Sequence, residues 1–213
     1  MYSIESKCLR RYALAVGFVI NNTGIGAAPT NPDPNWTVTT SPTPGSTNAF
    51  VTDTGNYPFP IWLADTATYG WDSPQSSYGD GETDPAGTDF YYTTTFDLTG
   101  FDPTSASLQF QFAVDDDLVA VILNDNTLTG CPAGALGSLS ATQTINTDFV
   151  SGVNTITFET FNQGGDPTPT GLLVDFTSAT ANTIGSAPEP SAFLLIGAGL
   201  GGLGLIRRRV QSR

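Results

Sequence analysis

The stretch SLQFQFAVDDDLVAVILN, residues 107 to 124, indicates the fold type of the chain. In its first half, apolar residues alternate with polar or small ones; the apolar residues are Leu108, Phe110, Phe112 and Val114. Because successive side chains of a β-strand point to opposite faces, this period of two predicts a half-buried strand. The apolar run 118–124 predicts a second strand in the middle of a sheet. The three aspartates between the two strands predict a hairpin turn.

Short strand-like runs of the same kind recur along the chain without a convincing helix. They are WTVTT, AFVTDT, FYYTTTFDL, NTITFETF and LLVDFTS, which begin at residues 36, 49, 90, 154 and 172. The 15 prolines and 23 glycines of the chain supply the turns between them. Seven or eight short strands with such turns predict an all-β fold, an antiparallel β-sandwich of the jelly-roll type.

Charge is strongly segregated along the chain. The basic residues are Lys7, Arg10, Arg11, Arg207, Arg208, Arg209 and Arg213, and there is no histidine. Of the 20 acidic residues, only Glu5 and Glu189 lie outside the span from Pro29 to Ala187, which leaves 18 inside it. A body of this sign repels phosphate backbones, so the sequence argues against a nucleic-acid partner.

The same composition excludes most catalytic centres from the body of the chain. Without His, Lys or Arg, that span cannot form a Ser-His-Asp or Cys-His centre, a lysine Schiff base or an arginine clamp. The sequence therefore predicts a protein that is not an enzyme. Two carboxylates acting as a glycosidase are the catalytic alternative, because that chemistry needs only Asp or Glu.

The N-terminal residues have the parts of a secretory signal peptide. Basic residues in KCLRR precede the apolar run Tyr12 to Ile20, and small residues follow as far as Ala28. This order predicts a signal peptide over residues 1–28. The alternative is a first β-strand with a basic lead.

The C-terminal residues predict a transmembrane helix. The uncharged run from Ser191 to Ile206 would span about 24 Å as a helix, against a hydrocarbon core of about 30 Å. The following cluster, Arg207, Arg208 and Arg209, suits the cytoplasmic side of a membrane. Both ends are therefore expected at the inner face, with the acidic body outside.

Pro188, Glu189 and Pro190, followed by the apolar helix and the arginine cluster at the chain end, resemble the PEP-CTERM sorting signal of Gram-negative bacteria. In that family an exosortase, a membrane protease-transferase, cuts the tail and passes the protein on. The resemblance implies a signal peptide over 1–28, an exported domain over 29–185 and a sorting signal over 186–213. It also implies export through the inner membrane to the cell surface or an exopolysaccharide matrix, as in a biofilm. An ordinary tail anchor is the alternative.

A second resemblance lies in the body of the chain. The series YYTTTFDLTGFDPTSASLQFQFAVDDDLVAVILND, FVSGVNTITFETFNQGG and PTGLLVDF is similar to the galactose-binding-like jelly-roll module. It covers roughly Trp36 to Thr180, and Asn124-Asp125 stands where such modules often have Asn-Gly. The resemblance implies the jelly-roll fold and, as an alternative to the surface or matrix role, a carbohydrate-binding module.

Two groups of carboxylates are candidates for calcium, the only cofactor that the sequence suggests. They are Asp80, Glu82 and Asp84, and Asp115, Asp116 and Asp117. Calcium takes six to eight oxygen ligands, and adjacent anions repel one another in its absence. Aspartate is also a common turn residue, so two solvated loops are the alternative.

Three aromatic residues are candidates for stacking on a sugar. Trp62, Tyr69 and Trp71 lie in the loop-like stretch PIWLADTATYGWDS. If their rings face water, they predict a glycan platform; packing in the core is the alternative.

Overall fold

The computed structural model describes residues 15–41, 47–55, 58–76, 84–128, 134–164 and 169–184. These residues form β-strands and contain no helix, which confirms the all-β prediction. The strands are β1 (Ala15–Gly17), β2 (Pro32–Thr39), β3 (Asn48–Val51), β4 (Asp72–Ser73), β5 (Thr88–Asp97), β6 (Phe101–Asp115), β7 (Asp117–Leu123), β8 (Asn126–Leu128), β9 (Gln143–Ile145), β10 (Val153–Asn162) and β11 (Gly171–Thr183). The chain divides into two compact units, Met1–Thr183 and Ile184–Arg213, and all of these strands belong to the first unit.

The strands form one antiparallel sheet that curls over itself. The order across it is β8-β7-β10-β5-β2-β3-β4-β11-β6-β9, and β1 adds to β11. Strands β6 and β10 come from different halves of this order, yet the rings of Phe110 and Phe158 meet edge to face with centroids 5.4 Å apart. The curl therefore brings two layers of the sheet together around an apolar interior.

The predicted strands are present, but the predicted hairpin is wrong. Strand β6 pairs with β11 and β9, whereas β7 pairs with β10 and β8. The aspartates between them carry the chain from one layer to the other. Asp116 and Asp117 accept hydrogen bonds from the backbone and side chain of Gln163, just after β10. Apolar alternation identifies a strand but does not identify its partner, so the local pattern does not reveal this pairing.

The inner core fills the space between the two layers. It is built from the inward-facing residues of the long strands, including Trp36, Tyr92, Phe110, Phe112 and Phe158. Trp36 packs on Phe158 with ring centroids 5.9 Å apart. Burying each large apolar side chain contributes about 1.5–3 kcal/mol, so this interior is the main source of stability.

A second apolar group, the outer cluster, lies on the other face of the sheet. It consists of Trp62, Trp71, Ala113 and Leu173. Ala113 alternates with inward-facing Phe112 and Val114 on β6, so it points away from the inner core. The connection between β3 and β4 covers this face with its two tryptophans.

The described part of the predicted signal peptide lies within the sheet. Strand β1 pairs with residues 180–182 of β11, and Phe18 stacks on Phe96 with centroids 5.2 Å apart. Thr23 is fully buried and donates a hydrogen bond to the Gly70 carbonyl over 2.7 Å. The boundary predicted at Ala28 therefore falls inside the folded unit, which includes residues from Ala15 onward. An apolar run next to basic residues does not by itself distinguish a leader from a first strand.

The other terminal predictions fall on residues outside those described. They are Pro188, Glu189, Pro190, the apolar run 191–206 and the arginine cluster. Within the described ranges, no helix has the length and apolar character needed to cross a bilayer.

Candidate functional site at the buried aspartates

The two tryptophans proposed for sugar stacking are core residues. Trp62 and Trp71 are 2% and 0% exposed, and their rings stack on each other with centroids 4.2 Å apart. The Trp71 indole N–H donates to the Leu63 carbonyl over 2.8 Å. Tyr69 is half-buried and packs against the same outer cluster. Neither tryptophan face is open to a ligand, so the condition for a platform in this loop is not met by Trp62 or Trp71.

The Trp62 ring occupies a space that only glycine leaves open on β11. A Cβ atom at Gly171 would overlap Cη2 of Trp62 and lie 2.7 Å from Cζ3 of the same ring. The indole N–H of Trp62 donates to Oδ2 of Asp115 over 2.7 Å. This bond anchors the β3–β4 connection to the end of β6.

Asp115 is the buried member of the three-aspartate turn. It is 6% exposed, and burial raises the pKa of its carboxyl to about 7. The neighbouring Asp116 raises this pKa further, whereas the hydrogen bond from Trp62 lowers it. At neutral pH this carboxyl is therefore divided between its charged and neutral forms.

Asp84 connects the two acidic stretches that the sequence presents separately. Its Oδ1 accepts from Gln75 Nε2 over 2.7 Å, and its Oδ2 accepts from the Thr170 backbone N–H over 3.0 Å. The Thr170 hydroxyl donates to the Asp115 carbonyl over 2.5 Å. Asp84 and the Asp115–Asp117 turn are thus held at one end of the sheet by a single threonine.

Calcium binding stays a prediction. Asp80 and Glu82 lie outside the described residues, and Asp116 and Asp117 bind Gln163. Within the described part of the chain, no three Asp, Glu, Cys or His residues are grouped so as to hold a metal ion.

The structure adds a pair of buried carboxylates that the sequence did not single out. Asp33 and Asp72, named here the acid pair, are 1% and 0% exposed. Oδ2 of Asp33 and Oδ1 of Asp72 accept from the same backbone N–H, that of Gly24, over 3.1 and 3.2 Å. The second oxygen of Asp33 accepts from the Asn35 backbone N–H over 2.7 Å. The two carboxylates therefore meet at one donor inside the protein.

Burial perturbs the titration of these acids. It raises the pKa of Asp33 and places the pKa of Asp72 well above its usual value, with the Asp33 charge as the next cause for Asp72. Asp65 lies nearby in the β3–β4 connection, accepts from the Trp71 backbone N–H over 3.3 Å, and has a pKa raised by burial to about 6.

Tyr92 brings a buried phenol to the same interior. Its ring is fully buried on β5, and within the described residues its hydroxyl has no hydrogen-bond partner. Burial raises its pKa well above the usual value, and the charges of Asp84, Asp72 and Asp115 raise it further. The hydroxyl thus lies within electrostatic reach of three carboxyls from different elements and stays protonated.

The sequence signal for the acid pair is weak. Asp33 lies in PDPN and Asp72 next to SPQ, and both contexts resemble solvated turns. The burial of Asp72 follows from pairing: it faces Leu172 of β11 on one side and Val51 of β3 on the other. The useful clue is the lack of any basic side chain from Tyr12 to Ile206, since any aspartate buried there lacks an ion-pair partner from this span.

A separate cleft lies between the two edge strands of the curled sheet. It has a volume of about 280 Å³, and Phe110 and the ends of β8 and β9 contribute to it. Its polar lining residues are Thr127, Gln143, Thr144, Asn146, Thr147 and Asp148. Hydroxyl, amide and carboxylate groups around apolar carbon atoms suit a small neutral polar ligand.

Comparison with known proteins does not place the chain in a family. No protein-family model matches it, and no characterised protein matches its sequence. Among solved structures, the secreted serine protease VesC from Vibrio cholerae matches with a TM-score of 0.31 and 14% identity. The match covers 61% of this chain and 24% of that one. A likeness this low carries no argument about fold or activity.

Proposed function

We propose that the chain is a non-catalytic protein of the bacterial surface or exopolysaccharide matrix, exported through the inner membrane and processed by an exosortase. The observation that carries this proposal is the segregation of charge, with all cations at the two ends and 18 acidic residues between Pro29 and Ala187. Cationic flanks stay on the cytoplasmic side of a membrane, while an anionic body does not oppose passage across it.

The architecture supports a galactose-binding-like jelly roll as the exported module. Its two antiparallel layers enclose one apolar core, and strands distant in sequence are neighbours in the sheet. Strand β1, Ala15–Gly17, belongs to the described part of this unit. The mass of the mature N-terminus therefore distinguishes a leader cleaved at Ala28 from the alternative, a retained first strand.

The buried carboxyls favour a structural role over hydrolysis. Asp84 and Asp115 accept hydrogen bonds from Thr170, Gln75 and Trp62 inside the sheet. A glycosidase needs two carboxyls on either side of an open sugar site, and these two are 4% and 6% exposed. This burial argues against Asp84 and Asp115 as the carboxyl pair of a glycosidase.

The sorting signal is tested in a host that has an exosortase. Intact-mass spectrometry is performed on wild type, the triple variant Arg207→Ala, Arg208→Ala, Arg209→Ala, and the control Arg213→Ala. We expect the wild type and the control to lose the C-terminal tail near Pro190, and the triple variant to keep it. Peptide mapping needs a protease specific for acidic residues, because trypsin has no site between Arg11 and Arg207.

Equal processing of all three proteins would contradict recognition of the arginine cluster. Retention of an intact tail by the wild type, with the protein in the membrane fraction, would support an ordinary tail anchor instead.

Carbohydrate binding is the second candidate, and the cleft between β8 and β9 supports it. The volume of about 280 Å³ and the amide and hydroxyl lining suit one neutral sugar ring. A glycan array followed by calorimetry tests this function. We expect Asn146→Ala to weaken binding by about tenfold, as for one lost hydrogen bond, and Tyr69→Phe to leave it unchanged. No binding at millimolar sugar would exclude this candidate.

Calcium is proposed as a structural ion at one of the two acidic groups that the sequence indicates, Asp80, Glu82 and Asp84 or Asp115, Asp116 and Asp117. Thermal melting in calcium and in excess chelator tests it. A stabilising ion raises the midpoint by mass action. An unchanged midpoint would exclude the ion.

A further inference from the structure

The acid pair has too few hydrogen-bond donors at Gly24 to stabilise two charged carboxylates. One backbone N–H, that of Gly24, serves Oδ2 of Asp33 at 3.1 Å and Oδ1 of Asp72 at 3.2 Å. The other oxygen of Asp72 is buried and, within the described residues, has no hydrogen-bond partner. A buried carboxylate is stable only when its charge is paired or its oxygens accept hydrogen bonds.

No positive group is available to compensate the pair from the body of the chain. The titratable groups that face it are Asp65 from the β3–β4 connection, Tyr92 from β5 and, beyond that phenol, Asp84. All of these are acids, and the sequence has no basic side chain from Tyr12 to Ile206. Two adjacent buried carboxylates of this kind cannot both be ionised.

The pair lies where the N-terminal segment joins the rest of the sheet. Residues 22–24 pass so close to the β3–β4 connection that a Cβ atom on Gly24 would lie 2.6 Å from the Gly70 backbone. The Gly70 N–H donates to the Thr23 carbonyl over 2.9 Å, and the Thr23 N–H donates to the Val174 carbonyl over 3.3 Å. The Gly24 N–H completes this junction by binding the acid pair.

We propose that Asp33 and Asp72 share one proton in the folded protein at neutral pH, and that this shared proton fastens residues 22–24 to the sheet. Asp72 is the proton donor, because it is the more deeply buried of the two and has an oxygen without another partner among the described residues. Loss of the proton puts two negative charges at one N–H and loosens the junction. The shared proton is independent of the proposed function.

The direction of the pH dependence follows from linkage. The folded protein keeps a proton that the unfolded chain releases near the ordinary aspartate pKa of 3.8, because burial raises the pKa of Asp72. This contribution to stability is complete below that pH and decreases as the pH rises toward the folded-state pKa. The protein is therefore expected to melt at a lower temperature at about pH 8.5 than at about pH 5.

Asp72→Asn in the full chain tests the shared proton. An amide has the shape of the neutral acid and donates to Asp33 without a titratable proton. We expect the midpoint of the variant minus that of the wild type to be larger by about 4 °C or more at about pH 8.5 than at about pH 5. Asp125→Asn makes the same charge change at an exposed turn and is expected to shift neither midpoint by more than about 1 °C.

The proposal is overturned if Asp72→Asn lowers the midpoint equally at both pH values, since the carboxylate would then be needed in its charged form. A midpoint of the wild type raised by calcium at the higher pH, and not raised in Asp72→Asn, would also overturn it in favour of a bound cation. If Asp72→Asn does not fold, Asp33→Asn provides the same comparison, because the remaining acid of the pair is then Asp72.

Discussion

The two apolar regions of the molecule are assembled in different ways. The inner core takes its residues from strands whose alternation is visible in the sequence, such as Phe110 and Phe112 on β6. The outer cluster takes two tryptophans from an irregular connection. The Trp62 indole donates a hydrogen bond to Asp115, and its ring fills the space that Gly171 leaves open by having no side chain. The stability of the inner core thus depends on its buried apolar area, whereas that of the outer cluster depends on a few specific contacts.

The largest expected effect comes from a cavity in the inner core. Phe158 contacts the rings of Trp36, Phe110 and Phe176, so Phe158→Ala should lower the free energy of unfolding by about 3–5 kcal/mol. Phe59→Ala removes the same ring at the half-buried edge of the outer cluster and should cost about 1–2 kcal/mol. Urea unfolding measures both values. Equal losses would remove the distinction between the two regions.

The next effect tests the glycine gap of the outer cluster. Gly171→Ala places a methyl group against the Trp62 ring, 2.7 Å from Cζ3, so it should cost about 2–3 kcal/mol and shift the tryptophan fluorescence. Gly137→Ala is the matched control, because its nearest neighbour is the Ile61 carbonyl oxygen at 3.8 Å. A neutral Gly171→Ala would mean that Trp62 is loosely held.

The sequence predicted the inner core and left the place of the outer tryptophans open, for a physical reason. A period of two reveals which face of β6 is apolar without knowledge of its neighbours. The environment of Trp62 depends on Gly171, which is 109 positions further along the chain, and on a pairing that brings β11 beside β6. No local pattern records such a contact, so the sequence does not decide whether these tryptophans face water or pack in the core.

A smaller effect concerns the charge of Asp115, which accepts a hydrogen bond from Trp62 of the outer cluster. With its pKa raised to about 7, Asp115 keeps a proton when folded that the unfolded chain has released, so its contribution to stability decreases between about pH 4 and pH 7. Asp115→Asn keeps an acceptor for Trp62 and should remove this decrease, about 1–2 kcal/mol at about pH 8. Denaturant melts at about pH 5 and about pH 8 measure it. An unaltered pH profile in the variant would contradict the assignment.

The smallest effect concerns the Tyr92 hydroxyl, a polar group inside the apolar inner core. Tyr92→Phe removes a buried hydroxyl that has no partner among the described residues, so it should be neutral or stabilising within about 1 kcal/mol. Tyr91→Phe removes the neighbouring hydroxyl, which donates to Glu159 Oε1 over 3.0 Å, and should destabilise by about 0.5–1.5 kcal/mol. A larger loss for Tyr92→Phe would show that its hydroxyl is bonded in solution.

The candidate site was predicted in part. The sequence singled out Asp84 and the Asp115–Asp117 turn as acidic, and the structure brings them together through Thr170. It did not reveal Asp33 and Asp72, because a carboxylate in a turn and one buried between strands have the same local context. For Asp72, the register of β4 against β11 makes the distinction.

The position of β11 in the sheet has a consequence for the order in which the protein folds. This strand is the last described strand in the chain, and it pairs with β1 from the beginning of the unit and with β4 and β6 from its middle. A nascent polypeptide cannot complete the sheet until residue 183 has left the ribosome. Pairings this distant in sequence also form slowly. The complete sheet therefore forms only after the chain has been synthesised beyond β11.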